Sequence, residues 1–369
     1  MKIGILTSSR ADYGIYLPLL QKMKKDSFFE IEIIAFGTHC SKFHGFTLKD
    51  IKTDSYSKIH AISSLISNDD AQSIATSYGL TAMKFAEFWA NHKFEMVLCL
   101  GDRFEMNAAV QAGIPFGVKF MHLYGGDTTL GAIDDIYRHQ ITLASRLHFT
   151  SIDSHKIKIK NLIGTKKNIY TVGSISLEAI NDFKPIKKDA FYKKFNIPNK
   201  EFALVTFHPE TVAANKNSYY ANEMKVALKN LLNSINLIIT MPNADTLGTE
   251  YRKKLEELKL EAPDQVLLIE NFGKENYFSA IFYSKILIGN TSSGIVEAAS
   301  FNKFVVNVGD RQKGRAQSEN IIDCIFNKDD IIEKTNKALR LDKYLGENIY
   351  YRSGSSDNII KIIKEYEKF

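Results

Sequence analysis

Short apolar runs alternate along this chain with longer stretches in which apolar residues recur every three or four positions. Lys2–Leu6 (KIGIL), Phe29–Phe36 (FEIEIIAF), Met96–Leu100 (MVLCL) and Phe116–Leu123 (FGVKFMHL) read as buried strands. Between them, Tyr13–Lys25 carries Ile15, Leu19, Leu20 and Met23 at helical spacing, and 71–90 and 104–112 follow the same period. Strand, then helix, then strand predicts a parallel sheet covered on both faces. The pattern returns in Phe202–Phe207, Leu237–Met241, Val266–Ile269, Ile286–Ile288 and Phe304–Val308. The passage 181–200, charged and holding Pro185 and Pro198, reads as a crossover between two Rossmann-like domains. The expected fold class is therefore α/β, with two such domains (1–182 and 183–352) facing across a cleft. A turn-rich piece, Ser353–Asp357, precedes a final helix running to Phe369.

Composition narrows the function classes. With 369 residues, 44% apolar and 24% charged, the chain is a folded protein of two ordinary domains, which excludes disordered and fibrous classes. The 48 Lys+Arg against 42 Asp+Glu leave +6, spread along the whole length. This argues against nucleic acid as a partner and leaves room for a local cationic pocket around a small anion. Cys40, Cys99 and Cys324 are far apart and form no CxxC pair, so neither a disulfide framework nor a zinc ribbon is expected. No apolar run approaches the roughly 18 residues of a membrane span, and the first run is too short for a secretory leader, so the expectation is a cytoplasmic protein without a membrane partner.

Open parallel sheets bind ligands at the carboxyl ends of their strands, and those positions are unusually polar here. The first strand is followed by Thr7-Ser8-Ser9-Arg10-Ala11-Asp12, where a helix start would offer free N–H groups and Arg10 a fixed charge to an anion. The plainer alternative makes Ser9 or Asp12 a helix cap. Asp102 and Arg103 follow the strand at 96–100, either aimed into a cleft or paired with each other. After 116–123, the passage from His122 to His139 packs three glycines, three acids, two histidines and an arginine into 18 residues, poor material for a core but good material for a polar site. Carboxylates crowded there would raise one another's pKa, as acid–base work requires. A metal bound by His122, Asp102 and Asp127 lacks any supporting ligand spacing, and no metal or cofactor is expected.

In the second half, His208-Pro209-Glu210, Pro242-Asn243 and Asn290-Thr291-Ser292-Ser293 follow strands. Hydroxyls at a helix start near Ile295 suit an anion, and Glu297, one turn in, suits the vicinal hydroxyls of a ribose; the plainer alternative is Ser293 as a cap. Arg311 and Arg315 could close over the same place. Carboxylates in one half and hydroxyls, Asn, His and Arg in the other fit a nucleotide diphosphate presenting a neutral sugar. There is neither GxGxxG nor GxxxxGK[ST], so dinucleotide and P-loop readings have no support.

The segments SSRADYGIYLPLL, LGDRFEM, HLYGGDTTLGAIDDIYRHQITLASRLHF, FHPE, MPNAD, IGNTSSGIVEAA and GDRQKGR, in this order over nearly residues 1–320, resemble the hydrolysing UDP-N-acetylglucosamine 2-epimerases of bacterial sialic acid synthesis. The resemblance implies a GT-B-like fold whose C-terminal helix (353–369) packs back on the first domain, and a homodimer or homotetramer. It implies conversion of UDP-N-acetylglucosamine and water to N-acetylmannosamine and UDP, by elimination to a 2-acetamidoglucal and rehydration. By position, Asp102, Asp127 and Asp134 would be catalytic, while Arg10, Arg103, His208, Asn243, Thr291, Ser292, Ser293, Glu297 and Arg311 would bind UDP. Two departures stand out: Asp127 replaces the family's usual Glu, and Tyr124 stands where His or another polar residue is usual. A Tyr124 ring packed on a less polar sugar would favour the alternative substrate, UDP-2,4-diacetamido-2,4,6-trideoxyglucose of legionaminic acid synthesis. A GT-B glycosyltransferase, a non-hydrolysing 2-epimerase and a catalytically dead nucleotide-sugar sensor are the rival readings.

Overall fold

Thirteen strands in the described residues form two all-parallel sheets of seven and six strands. The structure, a computed structural model, describes residues 1–366 apart from 43–44, 67, 69, 179, 211–213, 243–247 and 271. The first sheet holds β1 (Lys2–Thr7), β2 (Glu30–Phe36), β3 (Lys58–Ile62), β4 (Met96–Leu100), β5 (Phe120–Leu123), β6 (Ser145–Thr150) and β7 (Ile169–Thr171) in the order 3-2-1-4-5-6-7. The second holds β8 (Phe202–Thr206), β9 (Asn236–Thr240), β10 (Val266–Ile269), β11 (Leu287–Gly289), β12 (Val305–Val308) and β13 (Ile321–Cys324) in the order 10-9-8-11-12-13. Both orders are Rossmann orders, whose reversal falls between β1 and β4 and between β8 and β11. Ile3 pairs with Met96 at the first reversal, and Leu287 with Leu204 at the second.

The chain divides into two units. Unit 1 comprises Met1–Asp127, Asp134–Ala179 and Tyr350–Phe369; unit 2 comprises Thr128–Ile133 and Ile180–Ile349. The six residues Thr128–Ile133, inside the span assigned above to the N-terminal domain, thus pack with unit 2. Leu130 N–H donates to the Lys313 carbonyl at 2.9 Å.

The central strands of each sheet are buried on both faces because they are almost wholly apolar. In unit 1, Ile3, Ile5, Leu98 and Leu123 face the helices Arg10–Lys24 and Ser355–Tyr366, while Leu6, Val97 and Cys99 face Ala71–Asn91 and Phe104–Gly113. In unit 2, Val205, Ile239 and Val306 lie on one side, and Leu204, Ile238 and Phe301 on the other. No helix among the described residues is long and apolar enough to cross a membrane.

Three local expectations need correction. The run Phe116–Leu123 is a strand only from Phe120: Pro115 opens a tight 3-10 turn over Ile114–Phe116, and Gly117 reverses the chain at a φ of 68°. The first helix begins at Arg10, not near Asp12, because Ser9 and Asp12 close a capping box in which each side chain accepts from the other's backbone N–H. The helix after β11 runs from Ser292 to Val296, with Thr291 rather than Ser293 as its cap, and Glu297 ends it instead of sitting one turn in.

Candidate functional site

In unit 1 the ends of β4 and β5 deliver the acids. Asp102 follows Gly101 directly after β4; Asp127 closes the Tyr124-Gly125-Gly126 turn after β5; Asp134 and Asp135 start the helix Asp134–Ala144. One turn into that helix stands Arg138, only 2% exposed. It pairs with Asp102 and, at 2.8 Å, with Asp135. Burial works against its charge, but the carboxylates of Asp102, Asp127, Asp135 and Asp134 outweigh that, and its pKa is raised. A single buried guanidinium is therefore the electrostatic centre of four aspartates, three of them singled out by sequence. The alternative that Asp102 and Arg103 pair with each other does not hold: Arg103 instead reaches the buried Glu105, at 2.9 and 3.3 Å.

Asp127 has a partner of its own. His155 Nε2 lies 3.3 Å from its Oδ1, and both residues are buried. Gly126 makes this approach possible: its φ of 79° sits in the left-handed region, and a Cβ there would overlap the His155 carbonyl oxygen. His122 is committed elsewhere. Its ring nitrogens contact Thr142 Oγ1 at 3.1 Å and the Gly101 carbonyl at 2.8 Å, and burial pulls its pKa down to about 3.

Arg10 is exposed at the head of its helix, while the neighbouring Ser8, Ser9 and Asp12 are buried and bonded to one another. For Ser9 and Asp12, then, the plainer capping role is realised. The Tyr124 hydroxyl is held by the chain itself. That group meets Ser174 Oγ at 3.0 Å and accepts from the Ser176 N–H at 3.3 Å, and the ring packs on the core beside β1 and β5.

In unit 2, His208 follows β8 and Thr291 follows β11, on the two sides of the strand-order reversal. Asn290 knits them together. Its Oδ1 accepts from the His208 N–H at 2.7 Å, its Nδ2 donates to the His208 carbonyl at 2.8 Å, and its own carbonyl accepts from Arg311 Nη1 at 3.2 Å and Gln312 Nε2 at 2.9 Å. His208, Thr291 and Arg311 thus gather around one fully buried asparagine. Ser292 is exposed, Ser293 donates its N–H to Thr291 Oγ1 at 3.4 Å, and Glu297 is half-buried. Asn243 lies outside the described residues.

Arg138 and Asn290 stood in passages the sequence marks as polar but received no role of their own, and His155 was missed altogether. Arg138 could have been found as the cation that so acidic a passage needs. Nothing local marks His155, which faces Asp127 only because β6 and the helix after it lie beside β5.

Comparison with known proteins adds independent findings. The family model described as UDP-N-acetylglucosamine 2-epimerase matches residues 21–364. A Legionella pneumophila protein named UDP-N,N'-diacetylbacillosamine 2-epimerase (hydrolyzing) is 31% identical over 364 residues, covering 98% of this chain and 95% of its own. A Campylobacter jejuni protein named GDP/UDP-N,N'-diacetylbacillosamine 2-epimerase (hydrolyzing) is 34% identical over 329 residues, covering 88% and 85%. Among solved structures, the Neisseria meningitidis UDP-GlcNAc 2-epimerase bound to UDP-GlcNAc shares the fold with a TM-score of 0.81 at 16% identity, covering 99% of this chain and 100% of that one.

Proposed function

The chain belongs to the UDP-N-acetylglucosamine 2-epimerase family, and from that premise we propose that it is a hydrolysing 2-epimerase of a UDP-linked 2-acetamido sugar. The observation that carries the reading is the group of aspartates around Arg138: several carboxylates together suit proton transfer and water activation.

C2–H of such a sugar has no neighbouring carbonyl to acidify it. It becomes acidic as C1 turns cation-like on departure of the diphosphate, so the leaving group leads the first step. The C1–O bond breaks and its electron pair leaves with UDP; the C2 proton goes to a carboxylate, and C1=C2 forms as a 2-acetamidoglucal. Water then gives a proton to a carboxylate and adds its oxygen to C1, while a protonated carboxyl returns a proton to C2 from the opposite face, giving the inverted sugar beside the UDP already released. Asp102, Asp127 and Asp134 carry the proton and water chemistry. Asp127, with His155 beside it, is the member able to pass a proton onward. Arg10, Arg103, His208, Asn243, Thr291, Ser292, Ser293, Glu297 and Arg311 hold UDP, the cations and N–H groups stabilising its developing charge. No metal or nicotinamide enters this scheme.

For the sugar, UDP-2,4-diacetamido-2,4,6-trideoxyglucose is favoured by the names of the Legionella and Campylobacter relatives, at 31% and 34% identity. UDP-N-acetylglucosamine, converted to N-acetylmannosamine for sialic acid synthesis, is the second reading, supported by the description of the matching family model.

Incubation with each UDP-sugar in D2O tests both points. Free UDP and a 2-inverted sugar carrying one deuterium at C2 are expected, faster from the diacetamido substrate. A UDP-linked epimer would make the enzyme non-hydrolysing, and no turnover without an acceptor would make it a transferase.

A further inference from the structure

We propose that Glu210 is a positioning residue whose carboxylate holds the Gly309–Arg311 turn, and through it the guanidinium of Arg311, in place for the diphosphate. The inference rests on the assignment of Arg311 to UDP made above. Glu210 is 3% exposed. Its Oε1 accepts from the Asp310 N–H at 2.7 Å, and the backbone of Arg311 favours the charged carboxylate. The turn is shaped to admit it. Gly309 has a φ of 76°, and a Cβ there would overlap Glu210 Oε1.

Glu210 is itself anchored. Asn217 Oδ1 accepts from its N–H and Asn217 Nδ2 donates to its carbonyl, both at 3.0 Å, and Tyr251 OH donates to Asn217 Oδ1 at 3.3 Å. The turn also meets Gly131, where a Cβ would overlap the Asp310 carbonyl and stand 2.7 Å from Arg311 Cα. The turn therefore packs against a buried acid and a glycine, and Arg311 projects from it to the Asn290 carbonyl. Burying a carboxylate is costly, and here burial is the chief influence raising its pKa; the Asp310 N–H opposes it, the Asp310 carboxylate adds to it to a lesser degree, and Arg311 opposes it; Tyr220 and Tyr251 also lie within its field. An acid retained at such a position fixes the Asp310 N–H, which no apolar side chain could do.

The test combines UDP calorimetry with steady-state kinetics on the full chain. Glu210→Ala leaves the part-buried Asp310 N–H without its acceptor and should raise the UDP Kd and the KM about 10-fold, with kcat within about 3-fold. Glu210→Gln, which keeps an acceptor oxygen in place, should stay within about 3-fold of the parent on every count. In an Arg311→Ala background, Glu210→Ala should weaken UDP binding by less than about 2-fold more, because the route it acts through is gone. If Glu210→Ala does not fold, Glu210→Asp withdraws the carboxylate from the turn and must give the same pattern. Should Arg311→Ala weaken UDP binding while Glu210→Ala (or Glu210→Asp, where Ala does not fold) leaves it alone, or should the losses multiply, the positioning role is overturned and the diphosphate assignment stands. Should Arg311→Ala bind UDP like the parent, the assignment falls and takes this inference with it.

Discussion

At the residue scale, charge is organised around Arg138. Asp102→Asn or Asp127→Asn should lower kcat by about 10²-fold or more while UDP binding changes little, since these groups act on the sugar and not on the nucleotide. Near-normal turnover of Asp127→Asn would refute the carboxylate assignment. Arg311→Ala should weaken UDP binding, most strongly at low salt, and titrations at two ionic strengths would measure it. The acids were legible in the sequence because a charge just after an apolar run stands at a strand end, where ligands bind. Their partners were not. Whether Asp102 meets Arg103 or Arg138 is decided by which helix packs beside β4, and the reach of Glu210 to the Asp310 N–H spans 100 residues of sequence.

Elements were legible in proportion to their burial. The central strands β1, β4, β8 and β9 read plainly because both their faces are covered and almost every residue is apolar. The edge strands β3 (KIHAI) and β13 (IIDC), and the three-residue β7, passed unrecognised; an edge strand takes its pairing from its neighbour and shows water one side. β6 (SRLHFT) is mostly buried but carries Ser, His and Thr at covered positions, which hides its period. Caps also belong to this scale. Asp12 accepts from the Ser8 N–H and the Ser9 N–H at 3.1 Å and from Ser8 Oγ at 2.7 Å. Asp12→Ala should therefore cost about 1–3 kcal/mol in denaturant unfolding; an unchanged midpoint would show that the box contributes nothing. If Arg10 serves the nucleotide, UDP affinity should fall with it, because the same box aims the start of that helix.

For the whole molecule, three buried histidines set the response to acid. Burial holds His39 near 4, His122 near 3 and His148 near 4, each below its ordinary value of 6.5. As pH falls below 6.5 the unfolded chain takes up these protons and the folded one does not. Stability present above 6.5 is therefore lost on the way to about 4, at up to about 1.4 kcal/mol per pH unit for each histidine. All three lie in unit 1. Urea midpoints should drop steeply between pH 7 and 5, and replacing one of these histidines with a neutral residue that still folds should make the decline shallower; a flat profile would contradict their burial as neutral rings. The path of the backbone carries a separate consequence. It passes between the units at 127/128, 133/134, 179/180 and 349/350, so neither is a continuous stretch of polypeptide. A chain cut at 180 would forfeit the terminal helix that buries Ile359 and Ile363 from one product and the six-residue Thr128–Ile133 excursion from the other. Chimeras between relatives must therefore exchange interleaved pieces, and single-crossover recombination near the middle of the gene should give mostly insoluble offspring.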